Sequence, residues 1–113
     1  MNIIAVPCKD LKEAKKIARF LTSHKLAVCT NIIPSIISIY RWKGRVEEGK
    51  EVLLIVKTIK PKLDAAITRI KELHSYGTPD LIHWETSKDV NWLSSWIKQD
   101  LRSELTPKAS FTH

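Results

Sequence analysis

The chain has 113 residues, 43% hydrophobic and 27% charged, which is enough apolar material for one core and too little length for a second domain. Only three glycines are present, none at nucleotide-fingerprint spacing, and no paired-cysteine or HExxH pattern occurs, so a sequence-local phosphate loop or zinc motif is excluded. No apolar run approaches about 18 residues and the first residues lack the charged start and apolar stretch of a signal peptide; no membrane partner is expected, and the cytoplasm is the expected compartment.

Residues 2–7 read as a short buried strand, and Asp10 suits the N-cap of a helix reaching about His24. Leu11, Ala14, Ile17, Ala18 and Leu21 repeat at helical spacing, with Lys12, Lys15, Lys16 and Arg19 opposite. A net charge of +7 raises the question of nucleic acid. The basic stripe is also what the solvent side of an amphipathic helix looks like, and no nucleic-acid partner is expected.

Two long β-prone runs follow, 27–41 and 46–58, hinged on Trp42, Lys43, Gly44 and Arg45. Lys43 and Gly44 form a two-residue loop in which Gly44 supplies positive φ. Paired runs of this kind reach about 45 Å, beyond the roughly 35 Å diameter of a compact chain of this size. Overhanging arms would leave backbone edges open, so the hairpins are expected to pair between copies in an oligomer. The alternative is a monomer whose hairpin is cut short at Pro34 and at 47–50, where Gly49 suits a bulge.

Pro61 opens a second helix, with Leu63, Ala66, Ile67, Ile70 and Leu73 on one face and an end near His74. After the turn signal Gly77, Thr78, Pro79 and Asp80, residues 81–86 read as a strand. A third helix begins near Asp89 with Leu93, Trp96, Ile97 and Leu101 on one side, and residues 106–113 fray. The order predicts an α+β fold, a ferredoxin-like split βαβ sandwich in which a four-stranded antiparallel sheet carries both main helices on one face. Residues 1–105 form the single domain. Ile32, Ile33, Ile36, Ile37 and Ile39 occupy both parities of the hairpin, so the second sheet face is expected to be covered too, by a subunit partner.

Cys8 and Cys29 are expected to stay reduced, and each can equally be a small buried hydrophobe. His74 stands at a helix exit beside Tyr76, where the dipole favours a charged imidazole and works against metal binding. Glu51 and Lys57 bracket the apolar block 52–56 and share a strand face. They are either solvated strand ends or walls of a cleft that meets Tyr40, Trp42 or His74 of a neighbour. Trp42, at the hairpin tip, is exposed unless it docks. No nucleophile and base pair is evident, and no enzymatic activity is expected.

The run Leu26, Ala27, Val28, Cys29, Thr30, Asn31, Ile32, Ile33, Pro34, followed by Ser38, Ile39, Tyr40, Arg41, Trp42, Lys43, Gly44 and by 51–58, resembles the CutA family of divalent-cation tolerance proteins. His74, Tyr76, Pro79, Trp96 and Ile97 continue the pattern. The resemblance implies a homotrimer similar to PII-type proteins, with hairpins paired between subunits, and a response to copper or other divalent metal ions without an obligatory cofactor. It implies an intersubunit ligand cleft of Tyr40, Trp42, Glu51, Lys57, Tyr76 and Trp96. Thiolate suits copper(I) and imidazole suits copper(II) and zinc, which makes Cys29 and His74, shared across a subunit boundary, the candidate metal ligands. Ser75, Asp80 and Leu93 depart from the family's proline, glutamate and tyrosine. The alternative is a PII-like sensor that binds a small anionic metabolite in that cleft through Lys57 and Arg41.

Overall fold

Period-two burial sets the sheet. In the computed structural model, which describes residues 1–86 together with Ser95, Gln99 and Asp100, Ile4, Val6 and Cys8 are fully buried while Ile3, Ala5 and Pro7 between them are half-buried. They form β1 (Asn2–Cys8), followed by α1 (Leu11–Ser23), β2 (Cys29–Trp42), β3 (Arg45–Thr58), α2 (Lys60–Leu73) and β4 (Ile82–Glu85). The strands lie in the order β2-β3-β1-β4, every neighbouring pair antiparallel, as the split βαβ reading expects. Val52, Leu54 and Val56 of β3 bury the same sheet face as β1, and Ala14, Ile17, Ala18 and Leu21 of α1 with Ala66 and Ile70 of α2 close over it in one cluster.

α1 starts at Asp10, whose carboxylate accepts the Glu13 amide at 2.8 Å. It stops in a six-residue reverse loop: Leu26 N–H donates to Leu21 O at 2.8 Å and Lys25 N–H to Thr22 O at 3.2 Å. That closure puts Lys25 at φ 59, in the left-handed region that favours glycine. Along the helix the basic stripe of Lys12, Lys15, Lys16 and Arg19 is exposed, as expected. Leu11, placed on the apolar face by its spacing, is 39% exposed, and Glu13 takes the buried position in its stead.

Each hairpin run is one continuous strand of 14 residues, so the hairpin is not cut short at Pro34 or at 47–50. Lys43 at φ 50 and Gly44 at φ 76 both turn left-handed, the twist that joins two strands without splaying them. The break expected at Pro34 is there: pairing runs Ile33↔Leu53 and resumes at Ile36↔Glu51, so Pro34 and Ser35 together face Val52 as a bulge. The break expected at Gly49 is not. Ser38↔Gly49 sits in unbroken register, with the Tyr40 hydroxyl 4.0 Å from where a Cβ on Gly49 would stand, an ordinary contact distance. The arm stretches the molecule to 49 Å, with a radius of gyration of 15.3 Å against about 13 Å for a compact chain.

α2 takes Pro61 in its first turn, and Thr58 Oγ1 donates to Leu26 O at 2.8 Å, tying the end of β3 to the loop after α1. Away from the helices the sheet presents Ile3, Ala5, Leu53 and Ile55 half-buried, with Ile33, Ile82 and Trp84 at its margins 42%, 60% and 46% exposed. Ser95, Gln99 and Asp100 have helical backbone. Asp89, Leu93, Trp96, the rest of the expected third helix and the 106–113 tail lie outside the described residues.

Because Lys25 carries a Cβ in a left-handed conformation, Lys25→Gly is expected to raise stability by about 0.5–1 kcal/mol, read as a higher denaturation midpoint in urea. A lower midpoint would show that the lysine side chain holds the loop by other means.

Candidate functional site

Three polar side chains meet beneath the end of β1. Sγ of Cys8, a carboxylate oxygen of Glu13 and a ring nitrogen of His74 all lie within 4.8 Å of one another, and all three residues are buried. Each arrives by a separate local rule. Cys8 is the last inward-facing position of β1, and Glu13 is the third residue of α1, where a capping carboxylate turns back to accept the Lys9 amide at 3.1 Å. His74 caps α2, its amide donating to Ile70 O at 3.0 Å while its ring turns inward.

The hydrogen bonds assign the proton of the imidazole. Nδ1 accepts the Tyr76 amide at 3.1 Å, so Nε2 carries the proton and donates it to Pro7 O at 2.7 Å. An amide aimed at Nδ1 thus selects this tautomer. Glu13 is the anionic member. Its second oxygen accepts the Ser75 amide at 2.9 Å, and Oε1 stands 3.8 Å from His74 Nε2. Burial raises its pKa, but the bonds from Ser75 and Lys9 outweigh burial and hold it below the ordinary carboxylate value. Burial, with the charges of Glu13, Glu51 and Asp10, pushes the Cys8 thiol up to about 12. Cys8 is thus a thiol at neutral pH, 3.8 Å from Val6 O.

An outer layer covers the triad. The Tyr76 ring tilts over His74 at 4.6 Å between centroids, and its hydroxyl donates to Glu51 Oε2 at 3.1 Å. Glu51 is the first β3 residue beyond the last β1 pair, Cys8↔Val52, so Tyr76 reaches round the end of β1 to meet it. Burial first, then the bond to Glu51 and the nearby charges, lifts the Tyr76 phenol to about 12, which keeps it a donor.

Of the residues expected to line the cleft, Glu51 and Tyr76 are brought together next to His74. Lys57 pairs with Cys29 at the far end of the sheet, six residues from Glu51, while Tyr40 and Trp42 stand out on the arm, 48% and 60% exposed. By strand parity Cys29, Tyr40, Trp42, Glu51 and Lys57 all face away from the helices, in a line and not a cluster. Cys29 packs with Met1, Val28 and Ile59 and does not meet His74 within one chain. Trp96 lies outside the described residues. Sequence reasoning missed Cys8 and Glu13 as partners of His74; the available signal was an Asp10-x-x-Glu13 capping pair whose glutamate falls one residue before the buried Ala14.

The donor set suits a metal ion of borderline softness: thiolate, imidazole and carboxylate together favour zinc or copper(II) over calcium or magnesium. Ligand atoms bonded at about 2.0–2.3 Å to a tetrahedral ion sit roughly 3.5 Å apart, so the triad fits after drawing in by about 1 Å. Every nitrogen and carboxylate oxygen in it already has a hydrogen-bond partner, and an ion has to displace some of these bonds.

A family model described as CutA1 divalent ion tolerance protein matches residues 2–100. The Divalent-cation tolerance protein CutA of Thermus thermophilus is 35% identical over 98 residues, 87% of this chain and 93% of that one. The human Protein CutA is 36% identical over 83% of this chain, which spans only 52% of that relative's length. Among solved structures, the periplasmic divalent cation tolerance protein CutA of Archaeoglobus fulgidus superposes with a TM-score of 0.83 at 33% identity, covering 88% of this chain and 97% of its own. CutA of Xylella fastidiosa superposes with a TM-score of 0.82 at 36% identity, covering 87% and 94%.

The depressed Glu13 pKa fixes the sign of a pH effect. Stabilisation by this carboxylate is complete above the ordinary value of 4.5 and is lost as pH falls through the lower folded value. Glu13→Gln is expected to cost about 1–3 kcal/mol near neutral pH, the gap to the parent narrowing in acid. A gap that does not depend on pH, in urea titrations at several pH values, contradicts this.

Proposed function

The chain belongs to the CutA1 divalent ion tolerance protein family, and on that premise we propose that it binds a divalent metal ion, copper(II) or zinc, at Cys8, Glu13 and His74, and does not catalyse a reaction. The observation that carries this reading is the approach of a thiol, a carboxylate and an imidazole to within 4.8 Å in a buried place. Relatives named for divalent-cation tolerance supply the ligand class. Coordination takes the proton from Cys8 and a hydrogen bond from His74, and Glu13 supplies the balancing charge.

Assembly belongs to the same proposal. A trimer built through the β2–β3 arms is supported by the 49 Å reach of the molecule, by Ile37, Ile39 and Val46 standing 64%, 67% and 67% exposed on the arm, and by the apolar sheet face. Such packing gives the line of Cys29, Tyr40, Trp42, Glu51 and Lys57 a neighbour to face. A Cys29 thiol from another copy is then a further candidate ligand. Both cysteines are free, which fits the reducing cytoplasm.

Light scattering is expected to give three times the 13.0 kDa chain mass, and a monomer would overturn the assembly. Zinc affinity by calorimetry is expected to fall more than about tenfold in Cys8→Ala and in His74→Ala, and to rise with pH by about tenfold per unit as one thiol proton is released. Unchanged affinity in both variants moves the ion elsewhere. Dependence on Cys29 with no dependence on Cys8 would assign it to a site between copies.

A further inference from the structure

We propose that the hydrogen bond from Tyr76 to Glu51 is a latch that opposes ion binding at Cys8, Glu13 and His74 and passes the occupancy of that triad to the β2–β3 hairpin; the coupling rests on the metal reading above. The turn after α2 is held by the triad's own lone pairs. Ser75 N–H sits on Glu13 Oε2 at 2.9 Å and Tyr76 N–H on His74 Nδ1 at 3.1 Å, while the other imidazole nitrogen is committed to Pro7 O at 2.7 Å. An ion that ligates His74 through Nδ1 takes the lone pair that fixes the Tyr76 amide. One that ligates through Nε2 expels the proton given to Pro7 O and swings the ring against which Tyr76 packs at 4.6 Å. An ion that uses Glu13 Oε2 releases Ser75. Both routes through His74 unseat the residue whose hydroxyl holds Glu51, and the route through Glu13 Oε2 frees its neighbour in the same turn.

Glu51 is well placed to transmit that change. It has no β1 partner, since the ladder with β1 ends at Cys8↔Val52, and it pairs with Ile36 on the near side of the Pro34 and Ser35 bulge. The bulge is the one register break in the hairpin, and bulged ladders bend and twist more than regular ones. Among the described residues, Tyr76 ties this joint to the turn that leaves the helix layer. Released from it, Glu51 becomes a carboxylate at the mouth of the triad, close enough that its charge acts on the Cys8 thiol. Coupling of this kind is reciprocal: if an ion weakens the latch, loss of the latch strengthens the ion by the same factor.

Tyr76→Phe removes the hydroxyl, keeps the ring and leaves the Glu51 charge in place, and the residue is 48% exposed, so folding is not at stake. Cobalt(II) serves as the probe because a thiolate-to-cobalt absorption band reports coordination by a cysteine. Tyr76→Phe is expected to bind cobalt about five- to tenfold more tightly than the parent. In the parent, cobalt is expected to speed backbone amide exchange around residues 49–53; in the variant, exchange there is already fast and cobalt adds nothing. Equal or weaker cobalt affinity in the variant, with unchanged exchange in the parent, removes the latch and leaves the metal site standing. A parent protein without the thiolate band removes the metal reading and the latch with it.

Discussion

A buried carboxylate has to be satisfied, and the way Glu13 is satisfied organises one end of the molecule. Its two oxygens accept amides from Lys9 and from Ser75, 62 residues further along the chain. One side chain therefore closes the entry of α1 and the exit of α2 at once. An unpaired carboxylate in that position would carry a desolvation cost of several kcal/mol. With both amides in place, the turn that presents His74 and Tyr76 is fixed relative to β1, and every geometric property of the triad follows from that anchorage.

The arm obeys a different logic. Near the core, β3 is buried on the helix side at Val52, Leu54 and Val56, and β2 follows it in register. Past the bulge no helix among the described residues covers the pair, yet isoleucines continue on β2. A chain serving its own core alone gains nothing from Ile37 or Ile39 at two-thirds exposure. The arm and the triad meet at Glu51, where the helix-covered sheet gives way to the free hairpin. The triad and the exposed arm are thus neighbours in space although they draw on separate parts of the sequence.

What could be read from the sequence was what depends on near neighbours. Strand and helix positions follow from periodicity, the turn from Lys43 and Gly44, and the bulge from a proline that has no N–H to give to a ladder. Gly49 misled because a glycine permits a bulge without requiring one, and the ladder runs through it in regular register. The site was legible by half. His74, Tyr76 and Glu51 carry their own signals as polar residues at element ends, but Cys8 looked like any small apolar residue closing a strand. The meeting of Glu13 with His74 and Ser75 is a fact of tertiary packing, and spacing along the chain does not encode it.

The two-residue turn at the arm's tip also has a kinetic meaning. β2 and β3 meet through neighbouring segments, so their pairing needs no long loop to close and can zip outward from Lys43 and Gly44 on the microsecond scale. β1 and β4, by contrast, join the sheet only after residues more than forty positions apart have found one another. By topology the apolar arm is therefore expected to take shape ahead of the core, so that a folding chain would present its hairpin before its interior is finished. Synthesis at high local concentration would favour early encounter between copies, and the yield of folded protein would depend on how promptly those encounters become ordered.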